Sequence, residues 1–351
     1  MIYLVATAVK HGKGGISTAL TSIIEELDRR GEAYRVVESH TGDASRWQAF
    51  QAARKALVQA GQGDVIWLHG ARWLSLLRKY ALARAPRKRG AKVVLHIHGI
   101  EFMHYLAHPL GRWLLQRMIN RYHGLIVLTP WWRTQIADNL SYPNDRIHVM
   151  PNTIDTSLLA LTRDIPPKGR AALSELSRDI NVLCMTRLET GKHVAAAIEC
   201  FLHLPARYKL TVAGDGSLFT ELQQLTARLG LTQRVEFLGW VPYEAKPALL
   251  QRMDLFLLPS ELDSFGMGFI EAMAASLPVV GVAYGPIQDV VTDRVGILVA
   301  RPEPQLLAQA LLRCSAESVE RSHAARQHVL AQFQPSTAVE HTLAFFKGLR
   351  Q

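Results

Sequence analysis

Apolar, β-branched runs recur along the chain at regular intervals, separated by longer stretches with helical spacing. In the first half they predict strands at Ile2–Val9, Tyr34–Ser39, Val65–His69, Lys92–His98, Leu125–Thr129 and Ile147–Met150. In the second half they predict strands at Asn181–Thr186, Lys209–Ala213, Val235–Leu238, Leu255–Pro259, Val279–Val282 and Ile297–Val299. Continuous apolar strands alternating with helices signal parallel sheets covered on both faces. Twelve of them are too many for one compact sheet, so two doubly wound α/β domains are predicted. The break is expected around Leu161–Asp179, where Pro166, Pro167 and Gly169 stand among charges. The resulting division is an N-terminal domain over 1–165, a C-terminal domain over 166–335 and a last helical segment over 336–351. That segment is expected to pack back on the N-terminal domain.

Composition narrows the function classes. The chain has 351 residues, enough for two domains that each bury a core, and 48 % of them are hydrophobic. No window approaches the ~18 uninterrupted apolar residues of a spanning helix. The start, MIYLVATAVK, lacks a charged leader and a small-residue cleavage site, so no secretory signal is expected. Three cysteines without C-x-x-C spacing point away from a disulfide framework and from a zinc site. A reducing, cytoplasmic setting is the expectation. A net charge of +10 calls for an anionic partner without choosing among nucleic acid, lipid surface and phosphorylated substrate.

Two segments carry candidate chemistry. The first predicted strand runs into Lys10-His11-Gly12-Lys13-Gly14-Gly15 and then a helix over Ile16–Arg30. A strand, a glycine-rich turn and a helix N-terminus make an anion site, because backbone N–H groups approach the ligand and the helix dipole favours negative charge. The spacing fits neither the dinucleotide nor the P-loop fingerprint, so a plain tight turn remains the alternative. The second segment is LFLLPSELDSFGMGFIEAMAASLPVVGVAYGPIQDVVTDRVGILV, from Leu255 to Val299. Here a buried strand leads into a turn with Asp263, Phe265, Gly266 and Gly268, then a helix carrying Glu271. Two carboxylates flanking a helix N-terminus suit a ligand with hydroxyls at both ends and a diphosphate between them.

That segment resembles the acidic-x7-acidic signature of the retaining family-4 glycosyltransferases, which have the GT-B fold of two Rossmann-like domains with an interdomain cleft. The family usually shows Glu-x7-Glu, whereas this chain has Asp263 and Glu271. Further marks follow in the family's order. Gly14-Gly15 and His98-Gly99 match in the first half, and Pro151-Asn152-Thr153-Ile154-Asp155 stands where the family often has PNGVD. In the second half Arg187 and Lys192 resemble its Arg-x4-Lys. Gly214 lies in its glycine turn, and Gly239-Trp240 in the loop beside the base.

The resemblance implies a role for each position. Glu271 would accept hydrogen bonds from the donor's ribose hydroxyls. Asp263, one methylene shorter than the usual residue, would contact the sugar or stabilise charge at its anomeric carbon. The backbone of Phe265, Gly266, Met267 and Gly268 would serve the phosphates, and His98 the donor sugar. Arg187 and Lys192 would hold the diphosphate and stabilise the charge that develops on it. The sequence lacks the Asp-x-Asp metal clamp of the other main transferase fold, so no metal and no further cofactor are expected. The substrates would be a UDP- or GDP-sugar donor and a lipid-linked or oligosaccharide acceptor, in surface polysaccharide or glycolipid synthesis.

From Arg72 to Lys92 the chain carries eight basic residues and no acidic one, with tryptophan and leucine interleaved. A basic amphipathic segment suits an anionic membrane surface, so peripheral association through Arg72–Lys92 at the inner face of the cell membrane is one expectation. A solvated helix face is the other. Nucleic acid is not an expected partner, since zinc spacing, an RNP pattern and a dispersed basic stripe are all missing. A GT-B sugar epimerase and a catalytically silent partner subunit remain alternative readings of the fold.

Overall fold

The structure is a computed structural model that describes residues 1–7, 15–39, 46–163, 165, 172–175 and 177–350. It divides into two compact units. The first comprises Met1–Asp155 together with Pro335–Gln351, and the second comprises Thr156–Gln334.

The first unit is built on β1 (Ile2–Ala6), β2 (Tyr34–Glu38), β3 (Val65–Gly70), β4 (Lys92–Ile97), β5 (Gly124–Val127) and β6 (Ile147–Val149). These strands form one parallel sheet in the order β2-β1-β3-β4-β5-β6. β3, with sequence VIWLHG, is buried at every position, as a central strand covered on both faces must be. The helix Gly15–Arg29 follows β1 and buries Ala19, Leu20, Ile23 and Leu27, a spacing that puts them on one face. On the same core lies the helix Pro335–Arg350, which buries Ala338, Val339, Thr342 and Phe346. The Phe346 ring meets Trp67 edge-on at 5.3 Å, and Gly124 at the start of β5 leaves room for Phe345, whose Cζ would stand 2.7 Å from an added Cβ.

The second unit contains β7 (Ile180–Met185), β8 (Tyr208–Ala213), β9 (Val235–Gly239), β10 (Leu255–Leu258), β11 (Val279–Val282) and β12 (Gly296–Val299). This sheet is also parallel, in the order β12-β11-β10-β7-β8-β9. Counted from its own first strand, that is the doubly wound dinucleotide-fold order, and it reverses between β7 and β10. Leu307, Leu311 and Cys314 of the helix Pro304–Ala316 pack with Phe201, Tyr208 and Leu210. At the amino-terminal edge Asp254 joins the two central strands. It accepts two hydrogen bonds of 2.7 Å from Arg178 and one of 2.9 Å from the backbone N–H of Asn181.

The division falls at Asp155/Thr156, earlier than the expected 165/166. The chain beyond Thr156 is tied into the second unit: Arg326 donates to the carbonyl of Thr162, and the Ser318 hydroxyl accepts from Leu173 N. Pro166, Pro167 and Gly169 lie outside the described residues.

Candidate functional site

All strands of a parallel sheet end at the same edge. In open α/β sheets, ligands bind outside the carboxyl ends of the strands where the order reverses. In the second unit that edge collects the loops after β7, β8, β9 and β10, and all the second-unit residues singled out by the sequence stand on them or on the helix that follows.

The loops after β7 and β10 are fastened together. Lys192 Nζ donates to Asp263 Oδ1 at 2.8 Å, with the side chains only 8 % and 20 % exposed. Asp263 Oδ2 is buried and has no hydrogen-bond partner among the described residues. Beside this pair the Glu261 N–H donates to the Gly191 carbonyl at 3.0 Å, and His193 Nε2 stands 2.9 Å from Glu261 Oε2. Arg187 differs from Lys192. Its side chain is 60 % exposed and its guanidinium meets Glu189 at 3.1 Å.

Gly266 turns the chain into the helix Met267–Ala274 with φ of 89°, a left-handed conformation that favours glycine. A Cβ there would stand 2.8 Å from both Ile287 and Phe269 side-chain carbons. Met267 and Gly268 open the helix half-buried, where backbone N–H groups lack intrahelical acceptors. Phe265 contributes only backbone to this turn, because its ring is buried edge-on against Phe333 at 5.6 Å.

Glu271 lies in the second turn of this helix and is 5 % exposed. Lys246 Nζ donates to both of its carboxylate oxygens at 2.8 Å. An ionised carboxylate offers about four acceptor positions, so this lysine leaves capacity for hydroxyl donors. Gly214 lets β8 end against the loop after β7. Its φ is 149°, and a Cβ would stand 1.8 Å from the Thr186 carbonyl oxygen. Its N–H donates to the Gly239 carbonyl at 2.7 Å, and Trp240, which follows Gly239, is 56 % exposed.

The remaining candidates belong to the first unit. His98 follows β4 and is buried, with its Nε2 2.9 Å from His69 Nδ1. Burial, with the nearby Lys79 charge second, pushes its pKa down to about 3, so its imidazole is neutral. Gly15 begins the helix Gly15–Arg29, while Gly14, Lys10 and Lys13 lie outside the described residues. In the segment 72–92 the cations are not all on one solvated face. Lys79 is fully buried, where desolvation lowers its pKa to about 7, and Arg89 donates to the carbonyls of Ala60 and Leu57.

Four residues with polar roles escape the sequence. Lys246, His193 and Glu261 reach the site only through pairing across tertiary structure. His69 becomes visible as a partner of His98 only once β3 and β4 are placed side by side.

Two Rossmann-like α/β units, one with carboxylates, lysines and a helix N-terminus at its strand-order reversal, define a GT-B transferase architecture. A family model for glycosyl transferases group 1 matches residues 168–328, and one for glycosyltransferase family 4 matches residues 13–158. The chain belongs to glycosyltransferase family 4 and is a hexosyltransferase-type enzyme that uses a nucleotide-sugar donor.

Among its relatives, a GDP-mannose-dependent α-(1-6)-phosphatidylinositol monomannoside mannosyltransferase of Mycolicibacterium smegmatis is 26 % identical, over 77 % of this chain and 72 % of its own length. The enzyme of the same name from Mycobacterium tuberculosis is 24 % identical, over 91 % and 85 %. A crystal structure of Anabaena HepE in complex with UDP and glucose superimposes with a TM-score of 0.75 at 19 % identity, covering 99 % of both chains.

Proposed function

We propose that this protein is a retaining glycosyltransferase that moves a hexose from a UDP- or GDP-sugar to a lipid-linked or saccharide acceptor in surface polysaccharide or glycolipid synthesis. The observation that carries the reading is the convergence of Lys192–Asp263, the Gly266–Gly268 turn and Lys246–Glu271 at the reversal of β7 and β10. Glu271 takes the ribose hydroxyls, and the N–H groups of Met267 and Gly268 take the diphosphate. Gly239 and Trp240 border the base, next to Gly214. Lys192 and Arg187 stabilise the charge that grows on the leaving diphosphate, so the reaction needs no metal there. Asp263 contacts the donor sugar, and the family resemblance gives His98 of the first unit a role toward that sugar as well.

Transfer proceeds on one face of the sugar. The acceptor oxygen bonds to the anomeric carbon as the bond from that carbon to the phosphate oxygen breaks, and the acceptor proton passes to that oxygen. A nucleophilic carboxylate is not required, and Asp263 Oδ1 is engaged with Lys192. The M. smegmatis relative is named for a GDP-sugar, and the HepE structure holds UDP, which supports both donor classes.

For the acceptor, the basic stretch Arg72–Lys92 supports docking on an anionic lipid surface, with Leu74 (70 % exposed) and Leu77 (41 %) standing among its cations. Among the described residues no helix is long and apolar enough to cross a membrane. Flotation with liposomes that contain or lack anionic lipid tests this docking, and no binding at low salt removes it.

The donor reading is tested by thermal shift against UDP, GDP and their sugars, up to about a millimolar. A rise with one nucleotide series that is lost in Glu271→Ala supports it. No rise with any nucleotide removes it.

A further inference from the structure

The proposed reaction uses only one member of a three-histidine cluster in the first unit. Parallel pairing of β3 with β4 sets His69 directly opposite His96. His98 lies two residues further along extended backbone and returns to the same face. All three side chains are buried, and one ring nitrogen from each lies within 4.8 Å of the other two. The His96 and His98 ring centroids are 3.9 Å apart, and Trp67 lies nearly parallel to His96 at 6.0 Å.

The polar atoms of this cluster are mostly unsatisfied. Apart from the 2.9 Å contact of His69 Nδ1 with His98 Nε2, the other ring nitrogens (His69 Nε2, both of His96, His98 Nδ1) have no hydrogen-bond partner among the described residues. Leaving such atoms buried and unpaired is costly, so a cluster of them points to a missing partner. Desolvation holds every one of the imidazoles neutral, so each presents a lone pair.

We propose that His69, His96 and His98 form a site for one transition-metal dication of the zinc class. Neutral imidazoles without a carboxylate suit zinc, copper or nickel and not calcium or magnesium, which take oxygen ligands. Tetrahedral bonds of about 2.0–2.1 Å place ligand nitrogens about 3.3 Å apart, so modest ring rotation closes the site. Binding exchanges the His69–His98 contact for two coordinate bonds and gives His96 a polar partner. The buried Lys79, whose charge adds to desolvation in lowering the pKa of His69 and His98, opposes the metal charge and weakens binding. In the donor reading above, on which this clause alone rests, bound metal withdraws His98 from the sugar and inhibits transfer.

The test uses the full chain after chelator treatment, titrated with Zn2+ by calorimetry and with Co2+ by visible absorption. The expected result is one ion per chain and the d–d band of a tetrahedral site, with affinity lower by about tenfold or more in His96→Gln and in His69→Gln. Circular dichroism confirms that each variant is folded. If one is not, the other decides. Absence of saturable binding below about 0.1 mM, or unchanged affinity in a folded variant, overturns the site. Donor-induced thermal shifts are recorded in the chelator-treated protein. A donor response without a metal site refutes this inference alone, and a metal site without a donor response refutes only the donor reading.

Discussion

Lys192 and Asp263, seventy-one positions apart in sequence, meet at 2.8 Å across the ends of β7 and β10. The pair leaves the buried Oδ2 of Asp263 without a hydrogen-bond partner among the described residues, three positions before the turn at Gly266. A lysine committed to a carboxylate is held in place before any phosphate arrives, which is the preorganisation that charge stabilisation in a transition state requires.

This pairing predicts strong coupling between the two positions. Lys192→Ala and Asp263→Ala should each lower kcat/KM by about a hundredfold or more, since a fixed cation or carboxylate at the reacting centre is worth about 2.7–4 kcal/mol. The double variant should lose far less than the sum. Steady-state kinetics on all four proteins measures the coupling, and simple additivity would show that the two residues act apart.

Lys246 predicts a different signature. It holds Glu271 by both oxygens and lies outside the reacting centre, so Lys246→Met should raise the donor KM by about tenfold, equivalent to 1.4 kcal/mol, with kcat nearly kept. A fall in kcat alone would assign the lysine to the chemistry instead.

Asp254 separates stability from function. It ties Arg178 and Asn181 at the amino-terminal edge of the second sheet, opposite the loops that carry the site. Asp254→Ala should destabilise the protein by about 2–3 kcal/mol, the scale of lost hydrogen bonds to a charged group. Urea unfolding reads that loss, while the donor KM of the folded protein should stay unchanged.

The cysteines should be inert. Desolvation pushes Cys184 and Cys314 up to about 12, and Cys200 higher still, so almost no thiolate exists at neutral pH. Alkylation followed by intact mass should show no modification of the native protein and three adducts after denaturation. Rapid labelling of the native form would contradict this.

Much of the architecture is legible in the sequence because central parallel strands are buried on both faces and cannot hide their apolar runs. Strand edges are less so. The first run reads on to Val9, but β1 ends at Ala6, and β4 stops at Ile97, one residue short of His98. Proline and glycine mark local breaks in the sequence, whereas the ties from Arg326 and Ser318 to the chain beyond Thr156 become visible only in the fold.

In the site, Asp263, Gly266 and Glu271 are legible together because one short segment carries them. Phe265 reads as part of a turn although its ring belongs to the core. Lys246 and His69 carry no local signal. Only a distant pairing and a strand register give them their places.

The first unit is written in two pieces, Met1–Asp155 and Pro335–Gln351, with the whole second unit between them. A ribosome making this chain therefore releases a complete second sheet while the first still lacks the helix that brings Phe346 to Trp67. At about 5–20 residues per second that gap lasts roughly 10–40 s, during which apolar surface around Trp67 stands open to solvent and to other nascent chains. The second unit can thus fold as it emerges, whereas the first depends on chaperone shelter or on the tolerance of its uncovered face until the last helix docks.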